Sequence, residues 1–177
     1  LGPQNTHRYQ TYDEAGNLRS VQDANGAITT FTYDARNRLL GQTDALGQVT
    51  SFTYDPAGLL IAKVDPNGRR TQYAYDRRGF QLSMTEGVGT ALARTSSVVY
   101  DNVGNPIEQR DPLGFVTRHT YDARNRRTTT LDPGGGLTRY YYDEADQLVV
   151  VVDRADRTWT YHYDALGRPV GVTDPLG

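Results

Sequence analysis

The pair Tyr-Asp recurs along this chain at a nearly fixed interval, and that interval constrains the fold more than any other feature. The tyrosines are Tyr12, Tyr33, Tyr54, Tyr75, Tyr100, Tyr121, Tyr142 and Tyr163, followed by Asp13, Asp34, Asp55, Asp76, Asp101, Asp122, Asp143 and Asp164. Seven intervals result, of 21 residues in every case except one of 25. A second marker stands ten residues after each of these aspartates: Asp23, Asp44, Asp65, Glu86, Asp111, Asp132, Asp153 and Asp174. Self-similarity at a fixed period signals a repeat architecture in which each unit is one supersecondary element. The repeats cover residues 8–177, and residues 1–7 form an N-terminal tail.

Each Tyr-Asp opens a four-residue group such as "DEAG", "DARN" or "DALG", with Gly, Asn or Asp at its fourth place. The second marker has the same grammar, closing on Gly26, Gly47, Gly68, Gly114 or Gly135, and Pro66, Pro112, Pro133 and Pro175 take its second place. Asp at the first position of a turn accepts backbone hydrogen bonds, Pro pre-sets the second, and the fourth needs a residue tolerant of the left-handed region. Of 17 aspartates, 15 open a turn, while Asp146 and Asp156 stand in for the closing glycine. Six or seven residues separate the turns, a strand's length, and "TTFTY", "TSFTY" and "TQYAY" alternate so that their aromatics share one face. One repeat is therefore a β-hairpin. The expected fold is all-β, about sixteen strands in one continuous antiparallel sheet, too wide to stay open and flat and so curled. A β-propeller is the rival arrangement, but alternate repeats are no more alike than adjacent ones.

The motif Y-D-x-x-G-x-L…D-P-x-G-x-x-T-x-Y-x-Y-D resembles the YD repeat of Rhs proteins, of the cocoon-forming subunits of Tc toxins and of teneurins. The resemblance spans residues 8–177. It implies that the hairpins form part of the wall of a hollow shell, which in bacterial members encloses a C-terminal toxin. Two departures stand out. Four extra residues after Glu86 imply a longer loop at about Gly87 to Arg94, and "DEADQL" and "DRADRT" lose both turn glycines of the seventh repeat, where regularity should weaken.

Composition limits the chemistry. A net charge of −2 gives no reason to expect nucleic acid or an anionic membrane as partner. No apolar run reaches the ~18 residues of a membrane span. Leu, Ile, Val and Phe make up only about a fifth of the chain, so the 13 tyrosines must supply the buriable surface. There is no cysteine, hence no thiol chemistry. No G-x-S-x-G, H-E-x-x-H or phosphate loop occurs, so no catalytic, metal-binding or cofactor-binding residue is assigned. Asp-rich turns invite a calcium reading, yet no calcium-loop motif is present.

The tyrosines read as a stacking ladder from repeat to repeat, with a sugar-binding platform as the alternative. His119 replaces a ladder aromatic, and His162 is one residue out of phase and faces the other side. All basic residues but Lys63 are arginine, placed beside turn carboxylates as in "DARNR", which reads as pairing rather than as a basic track. "LVVVV" at 148–152 breaks the alternation and suggests a strand covered on both faces, extended by Trp159.

The expected function is a non-catalytic structural module without cofactor. Its partners are further repeats of the same parent chain and an enclosed C-terminal polypeptide, in a secreted or surface-bound bacterial protein. The alternative is a glycan- or protein-binding adhesion module, to be distinguished by aromatics exposed on the face opposite the ladder. Unpaired sheet edges also predict edge-to-edge self-association.

Overall fold

In the computed structural model the described residues are 8–176, so the expected tail at 1–7 lies outside them. All regular structure is β. Contacts divide the chain into two units, Leu1–Thr95 and Ser96–Gly177. The first holds β1 (Tyr9–Tyr12), β2 (Leu18–Gln22), β3 (Ile28–Tyr33), β4 (Leu39–Thr43), β5 (Val49–Tyr54), β6 (Leu60–Val64), β7 (Arg70–Tyr75) and β8 (Gln81–Glu86). The boundary falls within β9 (Arg94–Tyr100). The second continues with β10 (Pro106–Arg110), β11 (Val116–Tyr121), β12 (Arg127–Leu131), β13 (Leu137–Tyr142), β14 (Leu148–Val152), β15 (Thr158–Tyr163) and β16 (Pro169–Thr173). The strands belong to one 16-stranded sheet in strict sequence order, which excludes the separate blades of a propeller. Within each unit the ladders are antiparallel, for example Val21 opposite Thr29 and Val151 opposite Trp159.

Both turn types are one structure used twice. At the first, the Gly16 amide donates to the Asp13 carbonyl at 3.0 Å and the Asp13 amide to the Asn17 carbonyl at 2.9 Å. At the second, Gly26 and Asp23 with Ala27 repeat the pattern. This is a type I turn closed by a left-handed residue, the three-residue hairpin connection whose twist matches the strands. The closing residue is Gly16 at φ 84°, Gly26 at φ 85° and Gly47 at φ 78°.

The seventh repeat does not weaken as expected. Asp146 and Asp156 adopt φ 66° and 56°, and their amides still close the turns onto Asp143 and Asp153 at 3.2 and 3.0 Å. Asp, like Asn37 and Asn125 at φ 61° and 62°, tolerates the left-handed region because its short polar side chain bonds locally. The long loop occupies residues 87–93, since Arg94 already belongs to β9.

Every hairpin carries a feature that the alternation alone did not reveal. Thr11 faces Ser20 but Tyr12 faces Leu18, so Arg19 has no opposite number and forms a β-bulge. The same shift recurs at Leu40, Ile61 and Leu82 in the first unit and at Ile107, Thr128, Val149 and Val170 in the second. Its cause is parity. Side chains alternate with period two, so an odd repeat of 21 residues would send successive tyrosines to opposite faces; one extra residue per hairpin brings each back.

Very little is fully buried. Among the described residues only Ala62, Gly87 and His119 are buried, Ala62 and His119 being 3% and 8% exposed. The aromatic face is half-buried, as the alternating exposure of β3, β5 and β7 shows. The run Leu148–Val152 is half-buried throughout. Its cover comes from neighbours in the sheet: Val150 faces Tyr141, and Val151 lies between Tyr140 and Trp159.

Gly47 tests the turn, because a Cβ added there meets nothing within 4 Å and only its φ resists substitution. Gly47→Val is expected to lower unfolding free energy by about 1–2 kcal/mol. Gly47→Asn should cost clearly less; urea denaturation compares the two.

Candidate functional site

The repeated residues gather on two rims. Each Tyr ends an outgoing strand, and its Asp starts the turn that follows. One carboxylate oxygen then holds that turn from within. Asp34 Oδ1 accepts the Arg36 amide at 2.9 Å and the Arg38 amide at 3.0 Å, and Asp122 Oδ1 does the same for Arg124 and Arg126. The second rim is built alike: Asp23, Asp44, Asp65, Asp111, Asp132 and Asp153 each accept two amides, and Asp174 accepts that of Leu176.

These bonds favour the ionised carboxylate. The amide of the fifth turn residue is the main cause holding Asp34, Asp132 and Asp164 below the ordinary value. At Asp13, Asp122, Asp146 and Asp153 the main cause is a side-chain donor, namely Asn17, Arg126, Arg124 and Arg157. Depressed carboxyls contribute stability above about pH 3.8 that is lost as pH falls through their folded values.

The tyrosines couple consecutive hairpins through their hydroxyls. Tyr33 donates to the Leu18 carbonyl at 3.0 Å and Tyr75 to that of Leu60 at 2.9 Å. Tyr121, Tyr142 and Tyr163 donate to Pro106, Arg127 and Leu148 at 2.9–3.0 Å. In each case the acceptor opens the returning strand of the preceding hairpin, fifteen residues earlier. Ring packing was the expected coupling; these hydroxyl bonds are a directional one. Burial raises the Tyr75 and Tyr121 phenols, which keeps them as donors.

The arginines of "DARNR" complete the joint, and they are paired as the sequence suggests. Arg38 Nε donates to Asp34 Oδ2 at 2.7 Å, while its Nη1 reaches forward to the Asp55 carbonyl at 3.0 Å and its guanidinium lies 4.8 Å over the Tyr54 ring. Arg126 repeats this with Asp122, with the Asp143 carbonyl at 3.2 Å and with Tyr142 at 4.7 Å. Ion pairing, a carbonyl bond and a cation–π contact thus converge on one planar group.

The non-glycine closing residues have a use of their own. Asn17 Nδ2 donates to Asn37 Oδ1, Asn105 Nδ2 to Asn125 Oδ1, and Arg126 Nη1 to Asp146 Oδ1. A donor at the fifth turn residue therefore meets an acceptor at the fourth turn residue of the next hairpin. On the other rim Arg154 reaches back to Asp132 Oδ2 at 3.0 Å.

His119 lies on the aromatic face and its Nδ1 is 3.0 Å from Thr130 Oγ1, whereas His162 lies on the opposite face with Nε2 2.8 Å from Thr173 Oγ1. Among the described residues no three His, Asp or Glu side chains group as metal ligands. An open hollow over Tyr73 and Tyr75 is also lined by Asp55, Asp76 and Arg78, of which Asp76 and Arg78 pair at 2.8 Å. Among the described residues no helix is long and apolar enough to cross a membrane.

The RHS Repeat family matches residues 12–49, 33–62, 54–91, 100–137 and 142–177. In three dimensions the chain is similar to a Tc holotoxin pore of Photorhabdus luminescens bearing a TccC3 mutation, at 16% identity and TM-score 0.70, over 94% of this chain and 12% of that one. It is also similar to the crystal structure of TcdB2-TccC3, at 15% identity and TM-score 0.63, over 97% of this chain and 12% of that one. A TcdB2-TccC3-Cdc42 structure matches at 14% identity and TM-score 0.61, over 97% and 13%. The likeness is one of fold, and the chain spans about an eighth of those proteins. No curated protein matches.

Two outcomes follow from the geometry. Tyr33→Phe removes one hydroxyl bond and should cost about 0.5–1.5 kcal/mol in chemical denaturation. His119 is held below its ordinary value by burial and then by the nearby Arg127 charge, so the fold prefers it neutral. Its contribution is present above about pH 6.5 and lost as pH falls below that toward the lowered value. The melting temperature should drop between pH 7 and 5, and His119→Phe should flatten that window.

Proposed function

We propose that this chain, which belongs to the RHS repeat family, is a structural, non-catalytic length of protein wall, and that the wall encloses a polypeptide carried C-terminal to it. The observation that carries this reading is the rim joint itself: the repeated Tyr, Asp, Arg and Asn side chains are engaged by the neighbouring hairpin. A residue whose polar atoms are held in this way builds a surface rather than waits for a substrate. Strands in a hydrogen-bonded sheet stand only about 4.8 Å apart, so such a wall leaves no gap that a protease active site could thread. Containment would then work by exclusion, with the tyrosine joints and ionised turn aspartates keeping the sheet continuous. The native setting is a secreted or surface-bound protein, whose other repeats continue the wall.

The face opposite the tyrosines supports this over adhesion. In the first unit it carries Ser20, Thr30, Thr32, Gly41, Ser51 and Ala62, small side chains that offer no ring for a sugar to stack on. Tyr141, half-exposed on the same face of the second unit, is the feature that speaks for a recognition role.

Limited proteolysis of a longer protein carrying these repeats, followed by mass spectrometry, decides between them. Survival of the segment C-terminal to the repeats until the sheet is unfolded is the expected result. Rapid digestion of that segment while the repeats resist would remove containment and favour adhesion.

A further inference from the structure

We infer that Arg36 and Arg38, facing Gly58 on the first rim, form a binding site for an external carboxylate. The site is independent of what the wall encloses.

Its template lies within the protein. Residues 33–38 and 121–126 have the same sequence, "YDARNR". Their joints to the following hairpin share the same carbonyl contacts. Arg36 Nη1 donates to the Pro56 carbonyl at 2.8 Å, as Arg124 Nη1 does to that of Glu144 at 3.3 Å. Arg38 Nη1 and Arg126 Nη1 donate to the Asp55 and Asp143 carbonyls at 3.0 and 3.2 Å. Asn37 and Asn125 each accept from an asparagine of the hairpin before. The joints part at the facing turn, which reads "DPAG" in one and "DEAD" in the other. In the second, Asp146 Oδ1 lies 2.7 Å from Nη1 of both Arg124 and Arg126, so a single carboxylate bridges two guanidinium groups. In the first, the same turn position is Gly58, which brings no carboxylate of its own.

Geometry, space and charge all favour an anion at the Gly58 joint. The two Nη1 donors are anchored on carbonyls equivalent to those that, at the other joint, hold them within reach of one oxygen. Such donors need little reorganisation to take a ligand. A Cβ added to Gly58 meets only Arg38 Nη1, at 3.8 Å, an ordinary contact, so the place of the Asp146 side chain is open to an incoming group. Arg38 is paired with Asp34 at 2.7 Å, whereas Arg36 is exposed and has no ion pair among the described residues. Pro56 and Gly58 stand where the other joint has Glu144 and Asp146, which removes negative charge from this part of the rim. A carboxylate seated there accepts charge-assisted hydrogen bonds from two planar groups. Because the template ligand is the side chain of a turn, the site suits an acidic residue of a polypeptide lying along the rim; a small free carboxylate shares that chemistry.

Heteronuclear NMR of the 177-residue chain, following the side-chain Nε–H signals of Arg36 and Arg38, tests this at constant ionic strength. The probes are acetate, acetyl-Gly-Asp-Gly amide and the same peptide with Asn for Asp. Saturable shifts are expected with acetate and the Asp peptide in the millimolar range, and none with the Asn peptide. Tighter binding of the Asp peptide than of acetate points to a polypeptide, and equal binding to small carboxylates; both support the site. Gly58→Asp supplies the carboxylate from within and should weaken the response by about tenfold or more. Arg36→Gln, which leaves the pair of Arg38 with Asp34 intact, should do the same. Asp146→Gly should create a second responsive pair at Arg124 and Arg126, and glycine suits the φ of 66° there. Circular dichroism checks that each variant is folded, and the three do not depend on one another. The inference is overturned by no saturable shift, by an equal response to the Asn peptide, by a response that survives Arg36→Gln, or by no gain in Asp146→Gly.

Discussion

A β-sheet whose described residues are nearly all at least partly exposed must be held by what each hairpin does to the next, and here that task falls to the tyrosine hydroxyl. Hydrophobic collapse onto a second layer, the usual source of domain stability, has little to act on within either unit. Cross-strand pairs contribute a few tenths of a kcal/mol to about 1 kcal/mol each, so many must act together. The bond from Tyr33 to Leu18, repeated from Tyr75, Tyr121, Tyr142 and Tyr163, adds a fixed point at the rim of consecutive hairpins. It also explains tyrosine over phenylalanine at the strand end: the half-buried ring supplies area, and its polar tip finds a backbone acceptor.

Around that bond the charged residues are arranged by the turn. An ionised aspartate that gathers two backbone amides with one oxygen has its second oxygen left for a side chain. Arginine at the fifth place takes it in the hairpins of Asp34, Asp122 and Asp164. The guanidinium fork then has donors to reach forward, which lysine's single ammonium would not provide with the same geometry. Local turn chemistry and inter-repeat cohesion are in this way one network. Acid that protonates the aspartates weakens both at once.

Much of this was legible in the residues. Turn positions, strand lengths, the shared aromatic face, the pairing of arginine with turn carboxylates and the outward turn of His162 all follow from spacing and side-chain chemistry. Two readings went astray for identifiable reasons. The seventh repeat looked irregular because glycine was taken as the sign of a left-handed residue, yet Asp146 reaches φ 66° and receives Arg126 in return. The valine run looked like a strand covered on both faces, whereas it is half-buried throughout, with cross-strand Tyr140, Tyr141 and Trp159 beside it.

The sequence by itself determined that this chain is a series of hairpins, because Asp, Pro and Gly or Asn act on the turn within four residues of themselves. The odd count of 21 even contained the requirement for a bulge, although not its place. Only the tertiary structure decided that the extra residue falls at the second position of the returning strand, from Arg19 to Val170. It also decided that tyrosines are joined through hydroxyl to carbonyl, and which closing residues accept from the hairpin before. Those choices depend on atoms some fifteen to twenty residues apart, and their meeting is fixed by strand register, which no local preference specifies.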